Sequence, residues 1–321
     1  MRRGRAAADL RPRVAAVVPV GTFPRDIALG DGPVWVSVND FGADRERSSV
    51  VRVDPTTNEI AAVIPVGSAG RVAAGSGAIW VLDREDEQTV LVRIDPRLNE
   101  VVARIPLGAS AFDVAADETG VWVTVDFDGR SGEVIRLSQE TNERVSSIPI
   151  QGRLRDIVLG EQAVWVVDST STLEVDPSLV RIDPATNRVV SRVHDLAGHD
   201  VAVGEGEVWA HGWLSSFEPS VDTGSGDRPV AFRIDATTNR RIGELIPLEQ
   251  FHPFAVGEGG VWFVGEGPVV SRLNLETHDV DETIAIAPVA VDSTVHAVLD
   301  LAASTIWVAN YEDSITRIDL R

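Results

Sequence analysis

Short apolar runs separated by turn-forming residues repeat along the chain. Within residues 71–108 the breaks fall at a Gly-Ser-Gly turn, an acidic loop and an Asp-Pro-Arg-Leu-Asn turn, and the runs rich in Val, Ile and Leu are 71–74, 78–82, 90–94 and 101–107. Residues of this kind between apolar runs mark tight turns between strands. The segment therefore predicts four short strands connected in sequence.

This four-strand unit recurs through the chain and is marked by two residue types. A Val-Trp or Ile-Trp pair stands in the second run of each unit, at intervals of 42 to 53 residues: Trp35, Trp80, Trp122, Trp165, Trp209, Trp262 and Trp307. An arginine stands in each third run: Arg52, Arg93, Arg136, Arg181, Arg233, Arg272 and Arg317. A period near ~40–45 residues is typical of four-stranded propeller blades. The sequence predicts an all-β, seven-bladed β-propeller with antiparallel blades.

The two ends of the chain predict how the ring closes. Val18-Pro19-Val20-Gly21 resembles the fourth-run ending Ile64-Pro65-Val66-Gly67, whereas the last unit stops at Arg321, after its third run. We expect the N-terminal strand 14–20 to complete the last blade, which leaves only short outer edges exposed. The predicted division is a flexible basic leader at 1–13 and a single propeller domain at 14–321.

Composition narrows the classes of partner. The chain has 321 residues, a formal net charge of −20 and no cysteine. The acidity disfavours nucleic acid and anionic membranes, and the lack of cysteine excludes disulfides and thiolate sites. No apolar run approaches the ~18 residues of a membrane span, so no membrane insertion is predicted. The start is basic, but its apolar run is too short for a signal peptide. We expect a monomer that is cytoplasmic by default, or extracytoplasmic if the chain is a fragment.

The two faces of the predicted ring differ in variability. One face, the turn face, carries the turns between first and second strands and between third and fourth strands, which are stereotyped as Gly-x-Gly and Asp-x-x-x-Asn. Glycine there is expected to supply positive φ. The opposite face, the loop face, carries the second-to-third connections, where the Trp-to-Arg separation varies from 10 to 24 residues. Binding usually lies on variable loops of a rigid scaffold, so we expect function on the loop face.

The first strands predict small residues near the axis. Ala or Val stands seven positions before the tryptophan in six units, but Asp300 stands there in the last unit. A local shift of register in the last blade accounts for this better than a carboxylate near the channel.

The entries into the first strands supply candidate ligand-binding residues at the channel mouth. The set, with the tryptophan of the longest loop, is Arg25, Arg155, His199, His252, His296 and Trp213. The arginines, with Arg71 one position later, could bind a ligand carboxylate or phosphate, or could pair with the adjacent aspartates, which are Asp26, Asp113, Asp156 and Asp200. The histidines could bind a metal, act in acid–base chemistry or cap their own strands. Trp213 is either packed under its loop or exposed for stacking.

Motifs for catalysis or metal binding are sparse. The acidic stretches 83–86 and 126–128 lack the ligand spacing of a calcium-binding loop, so we expect solvated loops. No nucleophile elbow, phosphate-cradling loop or zinc signature is present. No cofactor is predicted, although Mg²⁺ or Ca²⁺ remains possible.

Two families of propellers resemble this chain. Ile306-Trp307-Val308-Ala309-Asn310 and the segment 179–188, LVRIDPATNR, resemble the repeats of the YncE-like, YVTN-repeat seven-bladed propellers, and this resemblance implies a recognition platform. The Gly, apolar, Trp pattern is similar, more distantly, to the virginiamycin B lyase-like propellers. That resemblance implies magnesium and a catalytic histidine, with His252, His296 and Glu266 in the relevant places and Glu249 nearby. The Glu-x-His pairing expected of that family's catalytic blade is not found at His252 or His296, where Gln250 and Thr294 stand two positions before the histidine.

These observations lead to three functional hypotheses. The first is a non-enzymatic platform that recognises a small polar ligand or a protein segment at the loop face and channel mouth. The second is a metal-dependent lyase or lactonase, and the third is a sensor or interaction domain of a longer polypeptide.

Overall fold

The structure is a computed structural model that describes residues 12–39, 48–85, 88–169, 177–194, 200–213, 229–247, 255–264, 269–286, 297–300, 304–310 and 313–321. In this part of the chain the backbone forms 28 β-strands and no helix. The described residues therefore contain no helix that could cross a membrane.

The strands follow one another in groups of four. The first strand is β1 (Arg13–Pro19). Blade 1 contains β2 (Pro24–Leu29), β3 (Val34–Val38), β4 (Ser49–Asp54) and β5 (Glu59–Pro65). Blade 2 contains β6 (Ala69–Gly75), β7 (Ala78–Glu85), β8 (Gln88–Asp95) and β9 (Glu100–Pro106). Blade 3 contains β10 (Ser110–Asp117), β11 (Gly120–Asp126), β12 (Ser131–Leu137) and β13 (Arg144–Gln151).

The second half of the ring repeats this order. Blade 4 contains β14 (Leu154–Gly160), β15 (Ala163–Asp168), β16 (Ser178–Asp183) and β17 (Arg188–His194). Blade 5 contains β18 (Val201–Gly204), β19 (Glu207–Trp213), β20 (Pro229–Asp235) and β21 (Arg240–Pro247). Blade 6 contains β22 (Ala255–Gly257), β23 (Gly260–Val264), β24 (Val269–Asn274) and β25 (Val280–Ala285). Blade 7 contains β26 (Ala297–Asp300), β27 (Thr305–Ala309) and β28 (Ser314–Asp319).

The ring closes as the sequence predicts. Strands pair antiparallel within each blade, and β1 pairs with β28 as the fourth strand of blade 7, giving the order β1-β28-β27-β26. The closing strand is Arg13–Pro19 rather than the expected 14–20, a difference of one residue at each end. A hydrogen-bonded strand from the N-terminus therefore joins the two ends of the chain.

Strand register confirms the predicted shift in the last blade. The tryptophan pairs with the residue seven positions earlier in blades 1 to 6, as in Ala28 with Trp35 and Ala73 with Trp80. In blade 7, Trp307 pairs with Val298, and Asp300 pairs with Thr305 beside the hairpin turn. The shift of two residues restores a small apolar residue opposite the tryptophan.

The core lies between adjacent blades and is built around the repeated tryptophans. Each of the seven is at most 2% exposed. In the cluster between blades 1 and 2, Trp35 packs with Val50 of its own blade and with Ile79 and Val92 of the next blade. An aromatic side chain of this kind buries ~150–250 Å², so the tryptophan supplies much of the apolar surface that holds neighbouring blades together.

The arginine of the third strand lies over the tryptophan in every blade and in five blades also bonds the next blade. Its guanidinium lies 4.9 to 5.8 Å from the centre of the tryptophan ring in all seven blades. In blade 1, Arg52 Nη1 donates to Asn99 Oδ1 at 3.0 Å and to the Pro96 carbonyl at 3.1 Å, both in the third-to-fourth turn of blade 2. The same arginine-to-asparagine bond is formed by four further pairs: Arg93 with Asn142, Arg136 with Asn187, Arg181 with Asn239 and Arg317 with Asn58. The arginine repeated in the third strands thus has a structural role, and its partner is the asparagine that ends the third-to-fourth turn of the next blade.

Blades 5 and 6 replace this link where the neighbouring asparagine is missing. The corresponding turn residue of blade 6 is His278, and Arg233 of blade 5 donates instead to Glu207 of its own blade at 3.3 Å. Blade 7 has no third-to-fourth turn because its fourth strand comes from the N-terminus. Arg272 of blade 6 therefore forms a bidentate pair with Asp281 of its own blade, with both distances 2.8 Å.

The glycines of the first turn have two different roles. Positive φ occurs at Ser76 (51°) and Gly77 (73°) but not at Gly75. The expectation that glycine supplies positive φ holds for Gly77 and is wrong for Gly75. A Cβ on Gly204, the equivalent residue in blade 5, would lie 2.6 Å from the Val256 carbonyl oxygen. The first glycine is needed because adjacent inner strands approach each other closely at the turn face.

Candidate functional site

The candidate site lies at the mouth of the central channel on the loop face, where the first strands begin. Nine positions before the tryptophan, blades 1 to 5 carry Asp26, Arg71, Asp113, Asp156 and Asp200. The aspartates first serve the fold. Asp26 Oδ2 accepts a hydrogen bond from the Val72 amide of blade 2 at 2.9 Å, and Asp113 Oδ2 accepts one from the Ile157 amide of blade 4 at 3.0 Å.

Asp156 repeats the same contact and accepts from the Val201 amide of blade 5 at 3.0 Å. Each of these carboxylates therefore bonds the inner strand of the following blade. Three of the four aspartates noted in the sequence, Asp26, Asp113 and Asp156, thus link adjacent blades at the channel mouth.

Arg71 breaks the pattern by placing a cation where the other blades place a carboxylate. Its Nη1 lies 3.9 Å from Asp26 Oδ1 and its Nε lies 3.8 Å from Asp113 Oδ1, so carboxylates of the blades on both sides face it. Burial opposes its charge, but the charges of Asp113, Asp26, Asp156 and Asp200 outweigh that effect and raise the pKa of Arg71. The guanidinium is thus held between two blades while its side chain stays 27% exposed.

Burial raises the pKa of three aspartates at the channel mouth, Asp26, Asp113 and Asp200. It raises the pKa of Asp26, although Arg71 and two backbone amides oppose the shift. Burial also raises the pKa of Asp113 well above its ordinary value, against the opposing charge of Arg71, with the charge and hydrogen bond of Asp156 adding to the rise. The pKa of Asp200 is raised to about 7 by burial and by the charge of Asp156. The mouth therefore carries less negative charge near neutral pH than a count of its aspartates suggests.

A cavity of about 250 Å³ opens beside Arg71 between the first three blades. We call it the arginine cavity. Its walls are formed by Arg25, Asn39, Ser68, Gly70, Arg71, Leu82, Arg84, Thr89, Ser110, Ala111 and Phe112. Three of these residues are arginines, and no carboxylate is among the described residues that line it.

The predicted arginines have separate roles. Arg25 is exposed and lines the arginine cavity. Arg155 lies with its guanidinium 4.8 Å from the centre of the Phe112 ring, and its Nε donates to Ser169 Oγ at 3.3 Å. Burial and the charge of Arg153 lower the pKa of Arg155. Arg71 pairs with aspartates, as one of the two predicted roles requires. Arg155 instead lies against Phe112, which forms an aromatic wall of the cavity.

Several candidate residues lie outside the part of the chain that the structure describes. They are His199, His252, His296, Glu249 and Glu266. The backbone of Trp213 ends β19, opposite Pro229, but its side chain is outside the described part. The roles predicted for these residues stay predictions. Among the residues described, no three His, Cys, Asp or Glu side chains form a group that could hold a metal ion.

The acidic stretches differ from the sequence expectation. Asp83 is fully buried, and its carboxylate accepts from the Gly67 amide at 2.8 Å and the Ser68 amide at 2.5 Å. It also pairs with Arg104 at 3.0 Å. Asp126 is only 7% exposed and accepts from the Gly129 amide at 2.6 Å. The prediction of solvated loops is wrong for these two aspartates, because the carboxylate at the end of a second strand bonds backbone amides of a nearby connection.

A second cavity lies on the turn face between blades 1 and 2. Its volume is about 570 Å³, and it is lined by turn residues together with the Trp35 and Arg52 pair. That pair recurs in every blade as part of the fold. The smaller arginine cavity is the better candidate, since its lining differs from the repeat and gathers charged donors.

Comparison with known proteins supports the fold class. No family model matches the chain, and no curated protein matches it in sequence. Among solved structures, Kuenenia stuttgartiensis hydrazine synthase is similar with a TM-score of 0.70 and 14% identity, over 92% of this chain and 95% of that chain. The Neurospora crassa Pan2 WD40 domain is similar with a TM-score of 0.71 and 9% identity, over 99% of this chain and 98% of that chain.

The topology and these similarities define the chain as a seven-bladed β-propeller. At such low identity they show the fold alone, and membership of the YVTN-repeat group is not supported by them.

Proposed function

We propose that this propeller is a non-enzymatic binding platform that recognises a small polar ligand or a protein segment at the channel mouth of the loop face. The observation that carries the proposal is the arginine cavity, in which three guanidinium groups and several hydroxyl groups line one space at the mouth. Concave sites with a few convergent polar groups are the usual form of small-ligand sites.

The distribution of polar residues supports this choice of face. The repeated arginines and asparagines are used in links between blades on the turn face. Arg71 stands instead where four other blades have aspartate. Arg84 stands four positions after the tryptophan of blade 2, where blade 1 has Asn39 and blade 4 has Ser169. The structural repeat does not account for arginine at these positions, so they are the better candidates for binding.

We make two further proposals, about the type of propeller and about its oligomeric state. From the resemblance of its repeats we propose that the chain is a YVTN-type propeller, and from its acidity we propose a monomer. Sedimentation at the mass of one 34.5 kDa chain tests the second point.

Blocking the cavity tests the proposed function. Ser110 is exposed at the cavity, and Thr57 is exposed in a turn on the opposite face. A panel of small anions, amines, polyols and short peptides is screened by thermal shift against wild type, Ser110→Trp and Thr57→Trp. We expect at least one binder whose affinity falls about 10-fold or more in Ser110→Trp, equivalent to ~1.4 kcal/mol, and is unchanged in Thr57→Trp.

Binding that survives Ser110→Trp but is lost in Thr57→Trp would place the site on the turn face and contradict the proposal. A melting temperature that rises with Mg²⁺ or Ca²⁺ only when His252 is present would instead support the metal-dependent lyase or lactonase, because a ligand that binds only the folded state stabilises it.

A further inference from the structure

We infer that the arginine cavity binds a small oxyanion, namely free phosphate or sulfate or the phosphate or carboxylate group of a small molecule. This inference rests on the proposed function and names the class of ligand for the same site. The proposed function requires only a polar ligand at the loop face, which an amine or a neutral polyol would also satisfy. The present inference is narrower, because it requires an anion.

Three arginines reach the cavity from two neighbouring blades. Arg25 lies near the start of β2, Arg71 lies within β6 and Arg84 lies near the end of β7. A guanidinium presents planar N–H donors that match the oxygens of carboxylate and phosphate, so arginine is the side chain best suited to such groups. Arginines on different strands approach one space from different sides, so each can bond a different oxygen of the same oxyanion.

The electrostatic contacts of Arg71 hold one side of the cavity in place. Asp26 and Asp113 lie on either side of its guanidinium at 3.9 and 3.8 Å. Fixing a binding group before the ligand arrives reduces the entropy lost on binding. Arg84 differs, because it is exposed and has no ion-pair partner in the described part of the chain.

The remaining walls supply hydrogen-bonding groups and limit the size of the ligand. Ser68 and Ser110 bring hydroxyl groups, which can donate to an anion, and Phe112 forms an aromatic wall supported by Arg155. A Cβ on Gly70 would lie 2.9 Å from the Leu82 carbonyl oxygen, so the backbone approaches closely at this wall. At about 250 Å³ the cavity is smaller than the ~300–1,000 Å³ of a site for a drug-sized ligand. It suits a small ion or the anionic end of a small molecule.

The charge of the whole protein favours a small anion over an acidic macromolecule. With a net charge of −20, the protein repels a polyanion over its full surface. A small anion in the cavity interacts mainly with charges inside one Debye length, which is ~8 Å at physiological ionic strength. The charges near the cavity include its three arginines, the carboxyls of Asp26 and Asp113 that flank Arg71, and the Asp83–Arg104 pair beside Ser68.

Calorimetric titration at fixed ionic strength tests the inference with inorganic phosphate, sulfate and succinate as probes. Arg84→Ala removes one cavity guanidinium, and Arg97→Ala is the matched control, because Arg97 is an exposed arginine of the same blade on the turn face. Arg84→Ala removes charge-assisted hydrogen bonds to the ligand, so we expect this variant to weaken binding by about 10-fold or more and Arg97→Ala to leave binding within about 2-fold.

Four other results of these titrations would contradict one or both proposals. If amines or polyols bind in a manner sensitive to Ser110→Trp while no oxyanion binds, the platform stands and the oxyanion inference fails. If nothing in either panel binds, both proposals fail. Equal weakening by Arg84→Ala and Arg97→Ala overturns the assignment to this cavity, and tighter binding of an acidic peptide than of succinate overturns the assignment to a small molecule.

Discussion

Asp200 and Asp235 show how one residue type acquires opposite properties in this protein. Asp200 lies at the channel mouth, where burial and the charge of Asp156 raise its pKa to about 7. Asp235 caps a turn on the opposite face, where the amides of Thr238 and Thr237 donate to its carboxylate and lower its pKa. The first environment favours the protonated carboxyl and the second favours the charged one.

The two aspartates are expected to give opposite dependences of stability on pH. The folded pKa of Asp200 exceeds the unfolded value of about 3.9, so its contribution to stability is lost as pH rises from about 4 through about 7. Asp200→Asn removes this titration, and its stability should rise relative to wild type over that window. Urea unfolding at several pH values measures the difference.

Asp235→Asn is the control with the opposite sign. Its folded pKa is lowered, so its stabilising contribution is present above the unfolded value and is lost as pH falls through the folded one. This variant should be less stable than wild type at neutral pH, with the difference shrinking in acid. An unchanged pH profile in Asp200→Asn would show that another group titrates at the mouth.

At the scale of the element, the end of each first strand is constrained by the neighbouring blade as much as by its own hairpin. The positive φ of the Gly-Ser-Gly turn falls at Ser76 and Gly77. Gly75 has no such φ, but a Cβ there would lie 2.9 Å from the Ala116 Cβ and closer still to the Ala116 carbonyl. Close packing of inner strands at the axis therefore selects this glycine.

Substitution of the two glycines separates packing from backbone strain. Gly75→Ala forces a clash with backbone that cannot move away cheaply, and overpacking of this kind costs ~1–3 kcal/mol or more. Gly77→Ala meets nothing within 4 Å and bears only the cost of a positive φ, ~1 kcal/mol. Urea unfolding monitored by tryptophan fluorescence should rank Gly75→Ala as the less stable variant. The reverse order would mean that the turn, rather than the interface between blades, limits this position.

At the scale of the molecule, stability depends on closing the ring between the two ends of the chain. The closing strand β1 pairs with β28, and Val18 of β1 is buried in a cluster with Ile27 of blade 1 and Ile315 of blade 7. The Arg317 guanidinium of blade 7 also donates to Asn58 of blade 1. Closure therefore combines a strand pairing, an apolar cluster and a hydrogen bond.

Adjacent positions in the closing strand provide a matched test of this closure. Val18 is 4% exposed and Val17 is 46% exposed, because alternate side chains face opposite sides of the sheet. Val18→Asp loses the ~1.5–3 kcal/mol of a buried valine and adds the cost of a buried charge, whereas Val17→Asp should change stability by less than ~1 kcal/mol. Denaturation curves should show a lower midpoint for Val18→Asp alone. Equal effects of the two variants would contradict closure through this cluster.

The sequence by itself determined the number of blades, the closing strand and the register shift at Asp300. The number of blades rests on contacts that recur in every unit, such as the pairing of Trp35 with Arg52, so the same physical requirement leaves the same residues in each unit. The closing strand and the register shift could be read because each was compared with that repeat: Val18-Pro19-Val20-Gly21 copies a fourth-strand ending, and Asp300 departs from the small apolar residue of the other blades. Pattern and spacing were sufficient to read them.

The tertiary structure alone decided which polar groups meet across blades. Arg25, Arg84 and Phe112 form one cavity because the packing of blades 1 to 3 brings strands of different blades to the same mouth. The burial of Asp83 could not be read from its acidic surroundings, because its partners Gly67 and Ser68 lie on a separate connection. The arginine cavity occurs once in the ring and leaves no periodic signal in the sequence, so only the folded protein specifies which residues line it and which charges they carry.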